Sequence, residues 1–187
     1  MIPVLLMQGR KFVKTMNFGS PKYLGDPLNI IRIFNEKSVD EIFILNIAPD
    51  RFETELDYEY LERSAVECRS PVCFGGGVRS VEQVERLIGL GIEKVGFGDC
   101  LLSNPDLVSS ATRAVGSQSI VAIVNITSEG SLHRVVDLKN NSSDARSVNE
   151  FVDFCQKIGV GELVIHSIDR DGRLCGYDRS LLEQLYR

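Results

Sequence analysis

The sequence has no apolar run approaching the ~20 residues that a helix needs to cross a bilayer, which excludes a membrane-spanning helix. It lacks a basic surplus. Lys and Arg number 21 against 26 Asp and Glu, for a net charge of −5, so no broad phosphate-neutralising face exists and a nucleic-acid binder is excluded. It also lacks any CxxC pair. The five cysteines, Cys68, Cys73, Cys100, Cys155 and Cys175, leave an odd one over. That spacing argues against a zinc site or a disulfide framework, so no metal is expected and a reducing cytoplasm is the expected compartment. No cofactor motif is present either. The opening MIPVLLMQGR has neither a basic n-region nor a small-residue cleavage site, and it reads as a first strand rather than a leader.

What is present is an ordinary globular composition, 43% hydrophobic and 25% charged, in 187 residues, enough for one domain with a sizeable core. Short, nearly continuous apolar runs at 2–7, 41–47, 71–74, 94–97, 119–124 and 162–166 predict strands covered on both faces. Amphipathic segments at 27–37, 56–68, 80–89, 104–113, 144–158 and 178–187 predict helices between them. Start signals support several: Asp26 before Pro27, Ser80 before Glu82 and Gln83, Asn104 before Pro105. The alternation implies right-handed βαβ units and a parallel sheet. VDEIFILNI, IEKVGFGD and VGELVIHSI each set an acid before a strand and polar groups after it. Repeated units of this kind favour a (βα)8-type barrel over a doubly wound sheet, with six units present in a single partial barrel domain, residues 1–187.

Two stretches carry chemistry. FGGGVRS, residues 74–80, follows a strand and opens a helix. Gly75, Gly76 and Gly77 fit either a phosphate-binding turn at a helix N-terminus or a tight turn that merely needs positive φ. The pattern matches neither the Rossmann fingerprint nor the Walker A loop. VIHSIDRDGRLCGYD, residues 164–178, is a buried strand whose carboxyl end opens onto a polar site. His166 shares the strand face of Glu162 and Val164, and is either an acid/base candidate or a hydrogen-bonded structural histidine.

Together IPVLLMQGRKFVKTMNF, GDP, DEIFILNI, VCFGGGVRS, EKVGFGDCLLSNPDLV, GSQSIVAI and HSIDRDGRLCGYD resemble the cyclase (synthase) subunit family of imidazole glycerol phosphate synthase and its paralogues. The resemblance covers essentially the whole chain. It implies a TIM (βα)8 barrel that takes ammonia from a separate glutaminase subunit docked on its amino-terminal face. It also implies an ammonia gate of Glu41, Lys94 and Glu162, with Gln118 matching nearby; the fourth, basic gate position falls at Met1. Strand parity supports the trio independently, since alternate strands contribute the side chains of one barrel layer. The family's two proton-transferring aspartates fall at Leu6 and Val124, which cannot transfer protons. The anion site of the fourth βα loop becomes Gly98 and Asp99, a carboxylate that repels phosphate unless protonated or bridged by a cation. Lys14, Asp169 and Asp171 are retained, and with His166 they are the catalytic candidates.

A kept gate with lost aspartates looks like the paralogues of surface-polysaccharide pathways, which install an acetamidino group on a nucleotide-activated sugar. The implied partners are a glutaminase subunit and a phosphorylated or nucleotide-linked sugar. The alternatives are a true histidine-pathway cyclase whose acid/base has migrated, or a non-catalytic remnant. Six units leave the first and last strands as unpaired apolar edges, so the chain is expected to be a truncated fragment or to complete itself through a homo-oligomer. Little or no synthase activity is expected of it alone. The segment 127–147 reads as a hairpin followed by a polar loop.

Overall fold

Every second residue of a strand faces the same way, and here both faces are apolar, so the sheet must be covered twice. The computed structural model describes residues 1–130, 132–138 and 142–185. In chain order the elements are β1 (Val4–Gln8), β2 (Lys11–Lys14), β3 (Lys22–Gly25), α1 (Pro27–Glu36), β4 (Ile42–Asn46), α2 (Tyr58–Glu67), β5 (Val72–Gly75), α3 (Val81–Gly89), β6 (Lys94–Phe97), α4 (Cys100–Ser103), α5 (Pro105–Val115), β7 (Ile120–Glu129), β8 (Leu132–Asp137), β9 (Ser142–Ser143), α6 (Val148–Lys157), β10 (Glu162–Ser167) and α7 (Arg179–Leu185). Six strands pair in parallel in the order β1-β4-β5-β6-β7-β10. This is the predicted α/β arrangement, and the expected strands and helices all occur. Tyr186 and Arg187, the end of the last expected helix, lie outside the described residues.

Helix starts follow the capping residues. Asp26 accepts from the Asn29 amide at 3.1 Å, Ser80 from Gln83 at 3.3 Å, and Ser147 with Glu150 forms a reciprocal capping box. The helices bury Ile31, Leu61, Val84, Leu87, Val108, Ala111, Phe151 and Cys155 against the outer face of the sheet, where Ile42, Ile44, Phe74, Val95, Phe97, Ala122 and Val124 complete the main core. A second, smaller core lies on the other face: Phe43, Leu45, Cys73, Val121 and Ile123, with Leu6 and Val164 packed on it. Each such side chain contributes ~1.5–3 kcal/mol by leaving water.

The sheet is rolled. Laid flat, β4 and β10 would stand four strand spacings apart, roughly 19 Å. Instead one lysine on β6 touches an acid at the foot of each. The roll does not close into a barrel: among the described residues β10 pairs only with β7. The expectation of a wholly unpaired first strand is corrected. Leu6, Met7 and Gln8 pair with Val13, Phe12 and Lys11 of β2, so the β2–β3 hairpin covers the upper half of that edge. This hairpin was not foreseen, because KFVK and KYLG are too short and too polar to show a period. The hairpin expected within 127–147 is present as β7 and β8, with Ile126, Thr127, Ser128 and Glu129 facing Val135, Arg134, His133 and Leu132. Positions 131 and 139–141 of that stretch lie outside the described residues.

The open ends of the roll meet at its upper rim. The amide of Asn17 donates to the Asp171 carbonyl at 3.0 Å, and the Thr15 hydroxyl donates to the Asp171 carboxylate at 3.0 Å. Gly172, at φ +68°, allows this approach, since a Cβ there would sit 2.4 Å from the Thr15 carbonyl oxygen.

Candidate functional site

The inner face is stratified. At the lower mouth, the amino ends of the strands, Lys94 Nζ donates to Glu41 Oε2 at 2.8 Å and to Glu162 Oε2 at 2.5 Å. Strand parity brings the three together: Glu41 leads β4, Lys94 opens β6 and Glu162 opens β10. Burial opposes the charge on Lys94, but the bonds from Glu162 and Glu41 and the two negative charges outweigh it and raise its pKa. Glu41 is the most buried of the three, with its side chain 8% exposed. Its second oxygen, Oε1, is buried and takes no hydrogen bond among the described residues. Such an acceptor costs about 1–3 kcal/mol unless a donor reaches it.

Above the ions comes hydrocarbon: Phe43, Cys73 and Val121. Burial pushes the Cys73 thiol well above its ordinary range, so it behaves as a small apolar side chain. Higher still a cavity of about 490 Å³ opens at the carboxyl ends of the strands. Its floor is Leu6, Leu45, Ile123, Gly75 and Gly96, and its neutral polar groups include Gln8, Thr15, Asn46 and Asn125. His166 lines it from β10, in register with Asn125 of β7.

Gly75, Gly76, Gly77 and Gly98 all line this cavity. Close backbone approach explains two of them. A Cβ on Gly76 (φ +92°) would lie 2.1 Å from the Asn46 carbonyl oxygen, and one on Gly77 (φ +88°) would lie 2.6 Å from that of Arg51. Asp99, expected as an uncompensated carboxylate, is not alone. Arg51 Nη2 donates to Asp99 Oδ2 at 2.8 Å while its Nη1 donates to the Ala48 carbonyl at 3.1 Å. The guanidinium also stands over the Phe52 ring, 4.6 Å from its centroid. Arg51 escaped the sequence reading because it belongs to an irregular loop 48 residues from its partner.

Several candidates stand elsewhere. Val124 is a correction: it faces the helices and is 2% exposed, because the inner face of β7 carries Val121, Ile123 and Asn125. The fifth-strand residue that meets the cavity is Asn125, an amide. Leu6 lies in the cavity as expected. Gln118 is exposed and donates its amide to the Val115 carbonyl at 3.3 Å, with no bond to the lower ion cluster. Lys14 is exposed on β2, in register with Lys22, and does not line the cavity. Met1 contacts Asp40 through its amine rather than the ion cluster. Asp169 accepts from the Thr127 hydroxyl at 3.1 Å and the Ser128 amide at 2.7 Å, tying β10 to the β7–β8 hairpin. Asp171 is held by Thr15 and the Phe18 amide, and its Oδ1 lies 3.3 Å from His166 Nε2. Among the described residues, no cluster of three or more His, Cys, Asp or Glu converges as a metal site, and no helix is long and apolar enough to cross a membrane.

A rolled parallel α/β sheet with an ion cluster at one mouth and a ligand-sized cavity at the other defines a barrel-type scaffold. Residues 1–187 match the family described as histidine biosynthesis protein, a TIM-barrel family, and the chain belongs to it. It is 42% identical over 179 residues to a Vibrio vulnificus protein named provisionally as an imidazole glycerol phosphate synthase subunit, covering 95% of this chain and 69% of that one. A Pseudomonas aeruginosa protein with the same provisional description is 40% identical over 185 residues, 98% of this chain and 74% of that one. The imidazole glycerol phosphate synthase subunit HisF of Lactococcus lactis subsp. cremoris is 33% identical over 183 residues, covering 97% and 71%. The resemblance read from the sequence is thus to a cyclase-type subunit along nearly the whole chain.

Proposed function

We propose that the chain, as one partial (βα)-barrel domain over residues 1–187, is the ammonia-using synthase subunit of a glutamine amidotransferase. In this reading it attaches nitrogen to a phosphorylated or nucleotide-linked sugar, in acetamidino-sugar formation rather than imidazole closure. One observation carries this: Lys94 bridges two carboxylates at the foot of an apolar layer, and the buried Glu41 Oε1 has no donor among the described residues. Ammonia, with three N–H donors, can satisfy that oxygen. Lys94 can exchange partners to let it pass, and Phe43, Cys73 and Val121 keep bulk water from following.

The upper mouth supports the choice of reaction. Leu6 and Asn125 offer no proton-transferring carboxylate at the ends of the first and fifth parallel strands. The glycines at 75, 76, 77 and 98 would receive a phosphate, with Arg51 supplying the charge that offsets Asp99. A glutaminase subunit would dock at the lower mouth, in the reducing cytoplasm that the five free cysteines suit. The open edge of β10 would suit a second copy of the chain.

The test pairs two assays. With a glutaminase partner present, the protein should form an amidine on a nucleotide-activated N-acetyl sugar. Rescue of a histidine auxotroph, or rapid turnover of the histidine-pathway ribonucleotide, would sink the proposal. A pull-down should recover the glutaminase with the parent chain and much less of it with Lys94→Glu.

A further inference from the structure

The two histidines of this chain sit in opposite circumstances. His133 on β8 is engaged at both ring nitrogens: Nδ1 lies 3.0 Å from Gln184 Oε1, and Nε2 lies 3.4 Å from Ser180 Oγ and 3.6 Å from Asp178 Oδ2. It is a tied, structural histidine. Among the described residues His166 is tied at Nε2 alone, 3.3 Å from Asp171 Oδ1. Asp171 is itself immobilised, because its other oxygen accepts from the Thr15 hydroxyl at 3.0 Å and the Phe18 amide at 3.4 Å. The Phe18 ring meets the imidazole edge-on, with centroids 4.7 Å apart. A clamped ring in a cavity wall, with one nitrogen committed and the other bare, is the arrangement of an oriented base.

We propose that His166 is the acid/base of the upper cavity, with Nδ1 as the reacting atom and Asp171 as the residue that positions it. Together they take the role that Leu6 and Asn125 cannot fill. The proposal rests on the ammonia-using reading above. As the nitrogen of ammonia bonds to an electrophilic carbonyl-derived carbon of the substrate, it sheds a proton to Nδ1. The imidazolium then returns that proton to the departing oxygen. The C–O electron pair leaves with the oxygen, and the ring ends neutral. Asp171 faces the developing cation and stabilises it. The other charged groups lining the cavity, Arg51 and Asp99, are paired with each other at 2.8 Å, and the Cys100 thiol lies 3.7 Å from the Val78 carbonyl.

With only two histidines, the whole chain labelled with ¹⁵N-histidine gives two resolvable imidazoles. The neutral form of His166 should be the Nε2–H tautomer, and diethyl pyrocarbonate should acylate His166 at least about tenfold faster than His133. Asp171→Asn should disturb the tautomer of His166 and leave His133 unchanged. In turnover with the glutaminase partner present, His166→Gln should lower kcat about 10²-fold or more with little change in KM. Asp171→Asn should lower kcat about tenfold with little change in KM. His166→Asn guards against a folding defect in the first variant. An Nδ1–H tautomer, equal acylation of the two histidines, or parental turnover in His166→Gln overturns the dyad. Absence of turnover by the parent chain with its glutaminase partner would overturn the ammonia-using reading instead, while the tautomer and acylation results still decide the dyad.

Discussion

The two mouths of the rolled sheet are built by different means. At the lower mouth three charges stand on strand ends, fixed by backbone register, and they neutralise one another within a 2.5–2.8 Å cluster. At the upper mouth Gln8, Asn46, Asn125 and His166 stand at strand ends, but the ion pair that lines the cavity, Arg51 with Asp99, joins two loops. Charges on strands cost little conformational entropy to place, whereas loop charges must be held by further contacts, as Arg51 is by the Ala48 carbonyl. Register makes the lower mouth rigid, and loop variation leaves the upper one free to change its ligand.

This contrast can be broken at measurable points. The largest loss is expected at the glycine turn: Gly76→Ala puts a methyl 2.1 Å from a carbonyl oxygen at positive φ and should cost about 3–5 kcal/mol in urea unfolding. Parental stability there would mean that the Asn46 backbone yields easily. Next comes Lys94→Met, which leaves the buried Glu41 facing Glu162 without a cation and should cost about 2–4 kcal/mol. Adding Glu41→Gln should recover most of that, and a strictly additive double variant would deny that the cluster acts as a unit. Because the lysine pKa is raised, its contribution is whole below the ordinary lysine range and fades only as pH climbs through the raised value.

Arg51→Met should cost about 1–3 kcal/mol by stranding Asp99, and should weaken phosphosugar binding more than Lys94→Met does, read by ligand-induced shifts in Tm. The smallest effect belongs to the exposed rim pair of Arg10 and Asp57, bonded at 2.7 Å. Asp57→Asn keeps the cap of α2 and should cost under about 1 kcal/mol at pH 7. The Arg10 bond is the chief cause of the lowered Asp57 pKa, so this contribution is present above the usual aspartate range and lost as pH falls through the depressed value. The gap between parent and variant should therefore close on acidification, and a gap that widens would contradict the pairing.

The same contrast sorts what the residues reveal unaided. Glu41, Lys94 and Glu162 were legible because each precedes or opens an apolar strand of known parity, and parity alone decides which face they share. Leu6 and His166 were legible on the same ground. Val124 was misplaced by one position, since IVAIV is apolar on both faces and offers no polar alternation to fix the phase; Asn125 marks it only in retrospect. Asp169 and Asp171 were found, but their ties to Thr127, Ser128, Thr15 and Phe18 were not, being contacts across 41 to 156 positions. Gln118 shows the converse: a match by position whose side chain bonds locally to Val115. Arg51 and the β2–β3 hairpin lack any periodic signal, and only tertiary packing selects them.

The clasp between Thr15, Asn17 and Asp171 has a temporal side. Thr15 and Asp171 stand 156 positions apart, and a loop of that span is slow to close. The helices and the parallel strands between them can assemble beforehand, so the wall carrying Phe18 and His166 is expected to set last.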